Sequence, residues 1–381
     1  MGKKISLSCL LLLCFAMHGF GQKHLQSFTP GEIWLDNAGK HINAHGGGIL
    51  FHKGTYYWYG EHKVAMETGN TAQVGVHVYS SKDLYNWKDQ GIALKVDEGN
   101  EQCDIARGCI LERPKVIYNA KTKKFVMWFH LELKETSYSS ALSGVAVSSK
   151  PIGPFNYIRS FRPNAGHWPI NAKPFHKLPV SPDVRSGYCG GSKCLPNHPD
   201  TLNLIGRDFK GGQMARDMTL FVDDDGKAYQ IYTSEENSTI QISELSDDFL
   251  SCSGRYAYVF TNRYMEAPSI FKKSNKTYFF IGSGCTGWDP NAARLASAPS
   301  IWGPWTELGN PCVGDDEDKT FHSQSTFILP IHGKKDAFIF MADRWNPKNA
   351  VDGRYVWLPI QFKNDIPWLE WKDEWQITNA F

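Results

Sequence analysis

The chain lacks several features that direct proteins to particular functions. Its formal net charge is only +2 over 381 residues, and no Lys/Arg stripe is present, so the charge density that binds nucleic acid through its phosphates is missing. Nowhere after residue 21 does it contain the roughly 18 consecutive apolar residues of a membrane-spanning helix. No Gly/Ser-rich or Pro-rich linker interrupts it either, and we therefore expect residues 22–381 to form one domain.

Cysteine spacing does not predict a metal site. The chain has nine cysteines, but no Cys-x-x-Cys motif or His pair at ligand spacing accompanies them, so zinc is not expected. Cys103/Cys109 and Cys189/Cys194 are close pairs, which could each form a disulfide within one loop or together tie two loops; spacing does not decide. The acidic run Asp-Asp-Asp-Gly at 223–226 could suggest a calcium site, but it lacks the bidentate Glu of an EF-hand and fits a hairpin turn. We expect no metal and no cofactor.

The N-terminus is the one strongly apolar segment. Lys3 and Lys4 precede the run ISLSCLLLLCFAM, and the small-residue site GFG follows before Gln22. This order is typical of a secretory signal peptide, and the run is too short to span a bilayer as a mature helix. We predict that residues 1–21 are removed and that the protein is exported, either secreted or periplasmic.

A hairpin unit recurs five times along the chain. Each copy has a short apolar strand, a tight polar turn and a strand rich in aromatic residues, which is the pattern of an antiparallel hairpin. The copies occupy residues 48–61, 116–130, 220–234, 269–284 and 326–345. Five such units predict an all-β fold, a five-bladed β-propeller with one hairpin at the inner end of each blade. A β-sandwich with irregular hairpins is the alternative.

Polar residues stand at matching places beside these apolar strands. Glu61 ends the first hairpin, and the other four units open with Glu112, Asp217, Glu266 and Gln324. A charge beside a buried strand is costly unless it faces a solvated cavity, such as the axis of a propeller. Glycoside cleavage needs converging groups of this kind, since one acid protonates the leaving oxygen while another group positions water. Taken singly, each acid could merely cap a strand or pair with an adjacent arginine.

A set of segments carries a family resemblance. The segments are INAHGGGILFHKGTYYWYGEHK, ERPKVIYN, RDMTLFVDDDGKAYQIYTSEEN, MEAPSIFKK, SGCTGWDPNAA and SQSTF. They are spread over most of the chain after residue 21, and together they resemble glycoside hydrolase family 43, most of all its exo-β-1,3-galactanase branch. The resemblance implies a five-bladed propeller that hydrolyses glycosidic bonds.

The resemblance also implies catalytic roles. Glu266 matches the general acid, and Asp217 matches the aspartate that tunes the pKa of the acid and holds it in place. The usual general base, an Asp in the first blade, is replaced by Ala-His-Gly at 44–46. Its loss is typical of the galactanase branch, in which residues matching Glu112 and Gln324 are implicated instead. Because an amide is a very poor base, Gln324 would hold water by hydrogen bonds or act as its imidic acid tautomer.

Further residues are predicted to contact the substrate. Trp288 could stack on a sugar ring, while Glu61 and Thr286 could hydrogen-bond its hydroxyl groups. His45 stands at the place of the absent base and is a further predicted contact. Trp288 and His45 could instead be core residues. The segment 161–200 has little strand pattern and could wall off part of the pocket and select the substrate.

The resemblance implies an exo-acting glycoside hydrolase that releases galactose from β-1,3-galactan, the backbone of arabinogalactan, and the absence of a carboxylate at the first blade predicts inversion of configuration. An α-L-arabinofuranosidase or β-xylosidase of the same family is the alternative, since a fold does not determine the shape of its pocket. A non-catalytic carbohydrate-binding propeller is the alternative in another class, although the joint presence of Glu112, Asp217 and Glu266 argues against it. We expect a monomer that binds an oligo- or polysaccharide and no nucleic acid.

Overall fold

The computed structural model describes residues 24–65, 69–71, 73–186, 202–287, 289–346 and 348–381. The predicted signal peptide, the Cys189/Cys194 pair and Trp288 lie outside these residues. No helix in the described part of the chain is long and apolar enough to cross a membrane.

The elements are almost all strands, as predicted. In chain order the strands are β1 (His45–His52), β2 (Thr55–Lys63), β3 (Gln73–Ser81), β4 (Lys88–Lys95), β5 (Ile110–Asn119), β6 (Lys124–Glu132), β7 (Leu142–Ser148), β8 (Asn156–Phe161), β9 (Met218–Val222), β10 (Ala228–Ser234), β11 (Thr239–Leu245), β12 (Cys252–Val259), β13 (Met265–Lys272), β14 (Tyr278–Gly284), β15 (Arg294–Ala298), β16 (Thr306–Gly309), β17 (Cys312–Val313), β18 (Gln324–Pro330), β19 (Phe338–Arg344), β20 (Arg354–Pro359), β21 (Gln361–Lys363) and β22 (Ile366–Glu370). The short helices are α1 (Leu204–Arg207) and α2 (Ile377–Ala380), with 3-10 turns at Gly69–Thr71, Pro174–Lys177 and Glu317–His322.

The number of sheets differs from the prediction. The described strands form six sheets, four of them four-stranded and two three-stranded. With each sheet counted as a blade the propeller has six blades, and the prediction of five is wrong. Five sheets contain the five predicted hairpins: β1–β4, β5–β8, β9–β12, β13–β16 and β18–β20. The sixth has the order β17-β22-β21 and pairs β17 in parallel with β22.

Sequence reasoning missed the sixth sheet for a physical reason. Its first strand has only two residues, Cys312–Val313, and β21 has three, which is too short to show an alternating pattern. β17 precedes the fifth hairpin, whereas β21 and β22 follow that hairpin. The pairing of β17 with β22 therefore joins distant parts of the chain, and no local turn signals it.

The predicted hairpins form because their turn residues adopt the required conformations. In the first hairpin His52 pairs with Thr55, and the two turn residues, Lys53 and Gly54, have φ values of 48° and 73°. Positive φ at both central positions is the type I′ turn, whose twist matches that of the flanking strands. The chain therefore reverses direction within two residues, and the start of β1 lies beside the end of β2.

The two ends of the described chain meet and close the ring. The backbone N–H of Phe28 donates to the carbonyl of Trp375 at 2.8 Å, and the N–H of Trp375 donates back at 3.1 Å. Their rings lie 4.4 Å apart and join a core that includes the fully buried Trp58 and Trp357. Since a buried aromatic ring removes about 150–250 Å² from water, this cluster fastens the first sheet to the sheet of β18–β20.

The cysteines in the described part of the chain are all free: Cys103, Cys109, Cys252, Cys285 and Cys312. The first two therefore do not form the disulfide that their spacing left open.

Candidate active site

A polar pocket lies where the first strands of five sheets meet. Strands β1, β5, β9, β13 and β18 contact one another in turn around the axis, and residues at one end of these strands line a cavity of about 150 Å³. Six of the eight predicted site residues line it: His45, Glu61, Glu112, Asp217, Glu266 and Gln324. The structure thus brings together all four residues that were predicted to be catalytic.

A repeated backbone feature directs these side chains into the pocket. The residues that follow His45, Glu112 and Glu266 have positive φ, 63° at Gly46, 55° at Arg113 and 50° at Ala267. The pairing register shifts immediately afterwards in all three blades. Such bulges re-aim side chains at the ends of strands, so the same local distortion turns three functional side chains toward the axis.

These three residues and Gln324 each face a polar residue on the second strand of the same blade. The cross-strand pairs are His45 with Glu61, Glu112 with His130, Glu266 with Ser283 and Gln324 with Asp343. Polar groups therefore lie on both the first and the second strands around the pocket, and second-strand groups contact Glu112, His45 and Gln324.

Glu266 has the electrostatic character of an acid. Burial raises the pKa of its carboxyl to about 7, and the charge of Asp217 contributes to the increase. Nδ2 of Asn237 donates to Oε1 of Glu266 at 3.0 Å, which fixes one oxygen of the carboxyl. A carboxyl group that keeps its proton near neutral pH can donate it to a leaving oxygen.

Arg113 donates hydrogen bonds to both Asp217 and Gln324. Its Nε and Nη2 atoms donate to the two oxygens of Asp217 at 3.2 and 3.1 Å. Nη2 also donates to Oε1 of Gln324, while Nε2 of Gln324 donates to Oγ of Ser283 at 3.1 Å. The amide of Gln324 is therefore held at both ends, with one lone pair and one N–H still available for water.

Glu112 is held by two donors. Tyr138 donates its hydroxyl to Oε1 at 2.9 Å, and Nδ1 of His130 lies 3.0 Å from Oε2. The other ring nitrogen of His130 lies 2.9 Å from Glu132. Burial lowers the pKa of His130, but the hydrogen bonds to the two glutamates outweigh it and raise this pKa to about 9. The imidazolium then donates from both nitrogens.

Three potential ligand atoms of Glu112, His130 and Asp217 lie within 4.8 Å of one another, but the group does not suit a metal ion. Both nitrogens of His130 are engaged with carboxylates, so neither offers a lone pair. Arg113 already neutralises Asp217 at 3.1 Å. The charges of this cluster are balanced by protein cations.

The place of the usual base is occupied by His45, which lies beside the buried carboxyl of Asp343. Burial lowers the pKa of His45 to about 4, so the imidazole is uncharged. Its Nδ1 lies 3.3 Å from Oδ2 of Asp343, which also accepts from the backbone N–H of Gly46 at 2.5 Å. Burial raises the pKa of Asp343 to about 7.

Glu61 lines the pocket but has structural partners. Nζ of Lys63 lies 2.9 Å from Oε2, and both side chains are almost completely buried. Oε1 accepts from the backbone N–H of Arg113 at 3.0 Å. This residue therefore fixes the bulge that follows Glu112, and its contact with sugar stays a prediction.

The other two predicted contacts have different outcomes. Trp288 lies outside the described residues. Thr286 is buried and does not line the pocket; it donates to the carbonyl of Asp289 at 2.5 Å and accepts from Nδ2 of Asn291 at 2.9 Å. Because Asp289 and Asn291 do line the pocket, Thr286 shapes its wall, and a direct contact with sugar stays a prediction.

Several lining residues were missed by sequence reasoning. His130 and Asp343 end the second strands of their hairpins, just as Glu61 does, so the repeated pattern contained the signal for both. Tyr138 and Asn237 lie in loops and carried no such signal. Asn237 reaches Glu266 from a turn in which residues 235–237 all have positive φ, between 50° and 70°.

Comparison with known proteins gives the family. The family model for glycosyl hydrolases family 43 matches residues 200–365. A solved family 43 β-1,3-galactosidase, BT3683 in complex with galactodeoxynojirimycin, is 52% identical, with a TM-score of 0.86 over 92% of this chain and 100% of that chain. An exo-β-1,3-galactanase from Phanerochaete chrysosporium, solved with galactose, is 31% identical, with a TM-score of 0.71 over 92% of this chain and 68% of that one.

Two further relatives are also named for enzymes that act on galactose-containing glycans. The exo-β-1,3-galactanase 1,3Gal43A from Clostridium thermocellum is 34% identical, with a TM-score of 0.71 over 91% of this chain and 66% of that one. A curated β-D-galactofuranosidase of Aspergillus niger is 24% identical over 157 residues, which span 40% of this chain and 44% of that protein, so less than half of the fungal enzyme is matched. Identity of 52% across the whole of a family 43 enzyme shows that this chain belongs to glycoside hydrolase family 43 and is a glycoside hydrolase.

Proposed function

We propose that this protein is an exo-acting β-1,3-galactosidase that releases galactose from the end of β-1,3-galactan. The pocket carries the proposal: at about 150 Å³ it is smaller than the roughly 300 Å³ or more of sites for drug-sized ligands. It therefore suits one sugar ring at a chain end. The relatives named for β-1,3-galactosidase and exo-β-1,3-galactanase activity support galactose as that sugar.

Glu266 acts as the general acid in this proposal. It is protonated near neutral pH because burial and the charge of Asp217 raise its pKa to about 7. Its proton passes to the glycosidic oxygen as the bond to the anomeric carbon breaks, so that galactan shortened by one unit leaves as a neutral alcohol. Asp217 and Asn237 are positioning residues, since they act on the reaction through Glu266.

Gln324 and Glu112 orient the attacking water. The free lone pair of the Gln324 amide accepts a hydrogen bond from the water, and Glu112, held by His130 and Tyr138, takes the proton that the water loses as it bonds to the anomeric carbon. At the first blade, His45 is neutral because burial lowers its pKa to about 4, and residues 44–46 contribute no carboxylate that could form a covalent intermediate. Direct attack by water inverts the anomeric configuration.

Export belongs to the same proposal. The first 21 residues have the charge, length and small-residue end of a signal peptide, and a polysaccharide substrate is met outside the cytoplasm. Mass spectrometry of the mature N-terminus would give Gln22 as the first residue; an N-terminus at Met1 on the exported protein would contradict the proposal. We further propose a monomer, which light scattering of the purified protein tests.

The test of activity is incubation with β-1,3-galactan followed by chromatography of the released sugars. We expect galactose to accumulate from the earliest time points, with no intermediate oligosaccharides. The Glu266→Gln variant is the matched control for contaminating hydrolases. Release of arabinose or xylose from the corresponding glycosides, with none of galactose from galactan, would favour the arabinofuranosidase or xylosidase alternative.

A further inference from the structure

A second groove continues from the catalytic pocket. It has a volume of about 680 Å³, and Tyr138 and Arg216 line both it and the pocket. Its opposite wall includes Arg162, Pro182 and Arg185, which belong to the segment that the sequence suggested for substrate selection. A substituent attached to the sugar in the pocket can therefore extend into this groove.

The groove has more cationic than anionic side chains. Four arginines line it, Arg162, Arg185, Arg207 and Arg216, against two carboxylates, Asp208 and Glu236. Arg207 engages both carboxylates: its Nη2 lies 2.7 Å from Asp208, and its Nη1 donates to Glu236. Nε of Arg185 also lies 3.8 Å from Glu236. Both carboxylates are therefore already neutralised within the groove.

Arg162 and Arg216 carry the excess charge. Within the described residues neither has a carboxylate at ion-pair distance. Backbone carbonyls of one loop hold both: Nε of Arg162 donates to Ser140 at 2.9 Å, and Nη2 of Arg216 donates to Tyr138 at 2.6 Å. Nε of Arg216 is buried and makes no hydrogen bond among the described residues. The two cations are thus held in place without an ion-pair partner among the described residues.

Arg162 is partly desolvated and has charges of both signs around it. Burial lowers the pKa of the Arg162 guanidinium most; Asp208 and Glu132 raise it, whereas Arg207 and Arg216 lower it. A bound oxyanion would favour the charged form of this desolvated group, and a guanidinium presents paired N–H donors that match the oxygens of a carboxylate or sulfate.

We propose that this groove is a subsite for an anionic substituent on the terminal sugar of the glycan, with Arg162 as its principal contact. The substituent is an oxyanion, either the carboxylate of a uronic acid side chain or a sulfate ester. The inference rests on the proposed galactosidase function and adds a class of substrate to it. Arg216 serves both sites, because it also donates to Asn237, the partner of Glu266, at 3.0 Å.

The experiment compares β-1,3-galactobioses that differ only at the primary hydroxyl of the non-reducing galactose. One carries a glucuronosyl group, one the matched neutral glucosyl group, and one a sulfate ester. For the wild-type enzyme we expect kcat/KM to be about tenfold higher for an anionic substrate than for the glucosyl substrate, mainly through KM. Arg162→Gln should bring this ratio close to one, whereas Arg107→Gln, at an exposed site paired only with Glu98 at 3.8 Å, should preserve it.

The outcomes separate the possibilities. Preference for the glucuronosyl substrate identifies a carboxylate subsite, and preference for the sulfated substrate alone identifies a sulfate subsite. Equal kcat/KM for all three substrates, or a preference that survives Arg162→Gln, overturns the proposal. If the wild-type enzyme does not cleave unsubstituted galactobiose, the proposed function fails. The groove is then tested by calorimetry with methyl glucuronoside against methyl glucoside, where equal binding of the two overturns the subsite.

Discussion

The backbone N–H of Ala267 donates a hydrogen bond to Oδ2 of Asp217 at 3.0 Å. Ala267 directly follows Glu266, so this bond ties the strand of the acid to the aspartate that raises its pKa. Arg113 donates to the same carboxylate at 3.2 and 3.1 Å, which keeps its charge in place. The distance between the acid and the aspartate is thus set by backbone geometry.

The pH dependence of activity should report this relationship. Because Glu266 must be protonated and its pKa is raised to about 7, kcat/KM should fall as pH rises through about 7. Asp217→Asn removes a charge that raises this pKa, so the same limb should move to lower pH, with reduced activity throughout. A pH profile of both enzymes on galactobiose measures the shift. An unmoved limb in the variant would show that Asp217 does not tune the acid.

Replacement of the acid itself should depend on the leaving group. Glu266→Gln should lose activity on galactan by about 10²–10⁴-fold, the usual contribution of general acid catalysis, while the fold is retained. Dinitrophenyl galactoside needs no protonation to leave, so its hydrolysis should be slowed far less. The test compares the hydrolysis rates of the variant and the wild type on both substrates, and a circular dichroism spectrum checks that the variant is folded. Equal loss on the two substrates would exclude the role of general acid.

Much of the site could be predicted because its signal is local. Glu112, Asp217, Glu266 and Gln324 each stand beside an inner strand whose turn and apolar pattern are visible in the sequence, and the ring then brings equivalent ends together. Asp343 occupies a position equivalent to that of Glu61, since each lies near the end of the second strand of a hairpin. It was overlooked although the pattern included it.

The remainder could not be predicted because it depends on distant parts of the chain. Strand β17 gains its partner only when residues 361–370 return to it, across the whole fifth hairpin. Asn237 reaches Glu266 through a left-handed turn that non-glycine residues seldom adopt. The groove that contains Arg162 is formed by loops, which carry no periodic pattern.

Asp343 should make stability depend on pH. Its folded-state pKa is raised to about 7, so the stability associated with its proton is fully present below the unfolded pKa of about 4. That stability is lost as pH rises through about 7. The loss could reach at most ~4 kcal/mol. Asp343→Asn should therefore flatten the decline in Tm between pH 5 and pH 8, and Asp247→Asn, at a site that is 93% exposed, should not. Parallel Tm curves for wild type and Asp343→Asn would contradict the assignment.

The stereochemistry of the product tests the direct attack by water. Inversion on a β-linked substrate yields α-galactose first, which then mutarotates, and an NMR time course separates the two anomers. We expect the α signal to appear before the β signal. A first product of β configuration would require a covalent intermediate and a nucleophile near the anomeric carbon.

Gln324 and Glu112 should act as a unit on that water. Gln324→Ala and Glu112→Gln should each lower kcat by orders of magnitude with only a modest change in KM, and the double variant should be little worse than either single one. The reason is that a water held by both groups loses its position when the first is removed. Kinetic constants for the three variants on β-1,3-galactobiose provide the measurement. If Gln324→Ala raises KM and leaves kcat nearly intact, Gln324 binds a sugar hydroxyl instead. Glu112 would then be the group to test alone, because its contacts with His130 and Tyr138 place it in the same pocket independently of the amide.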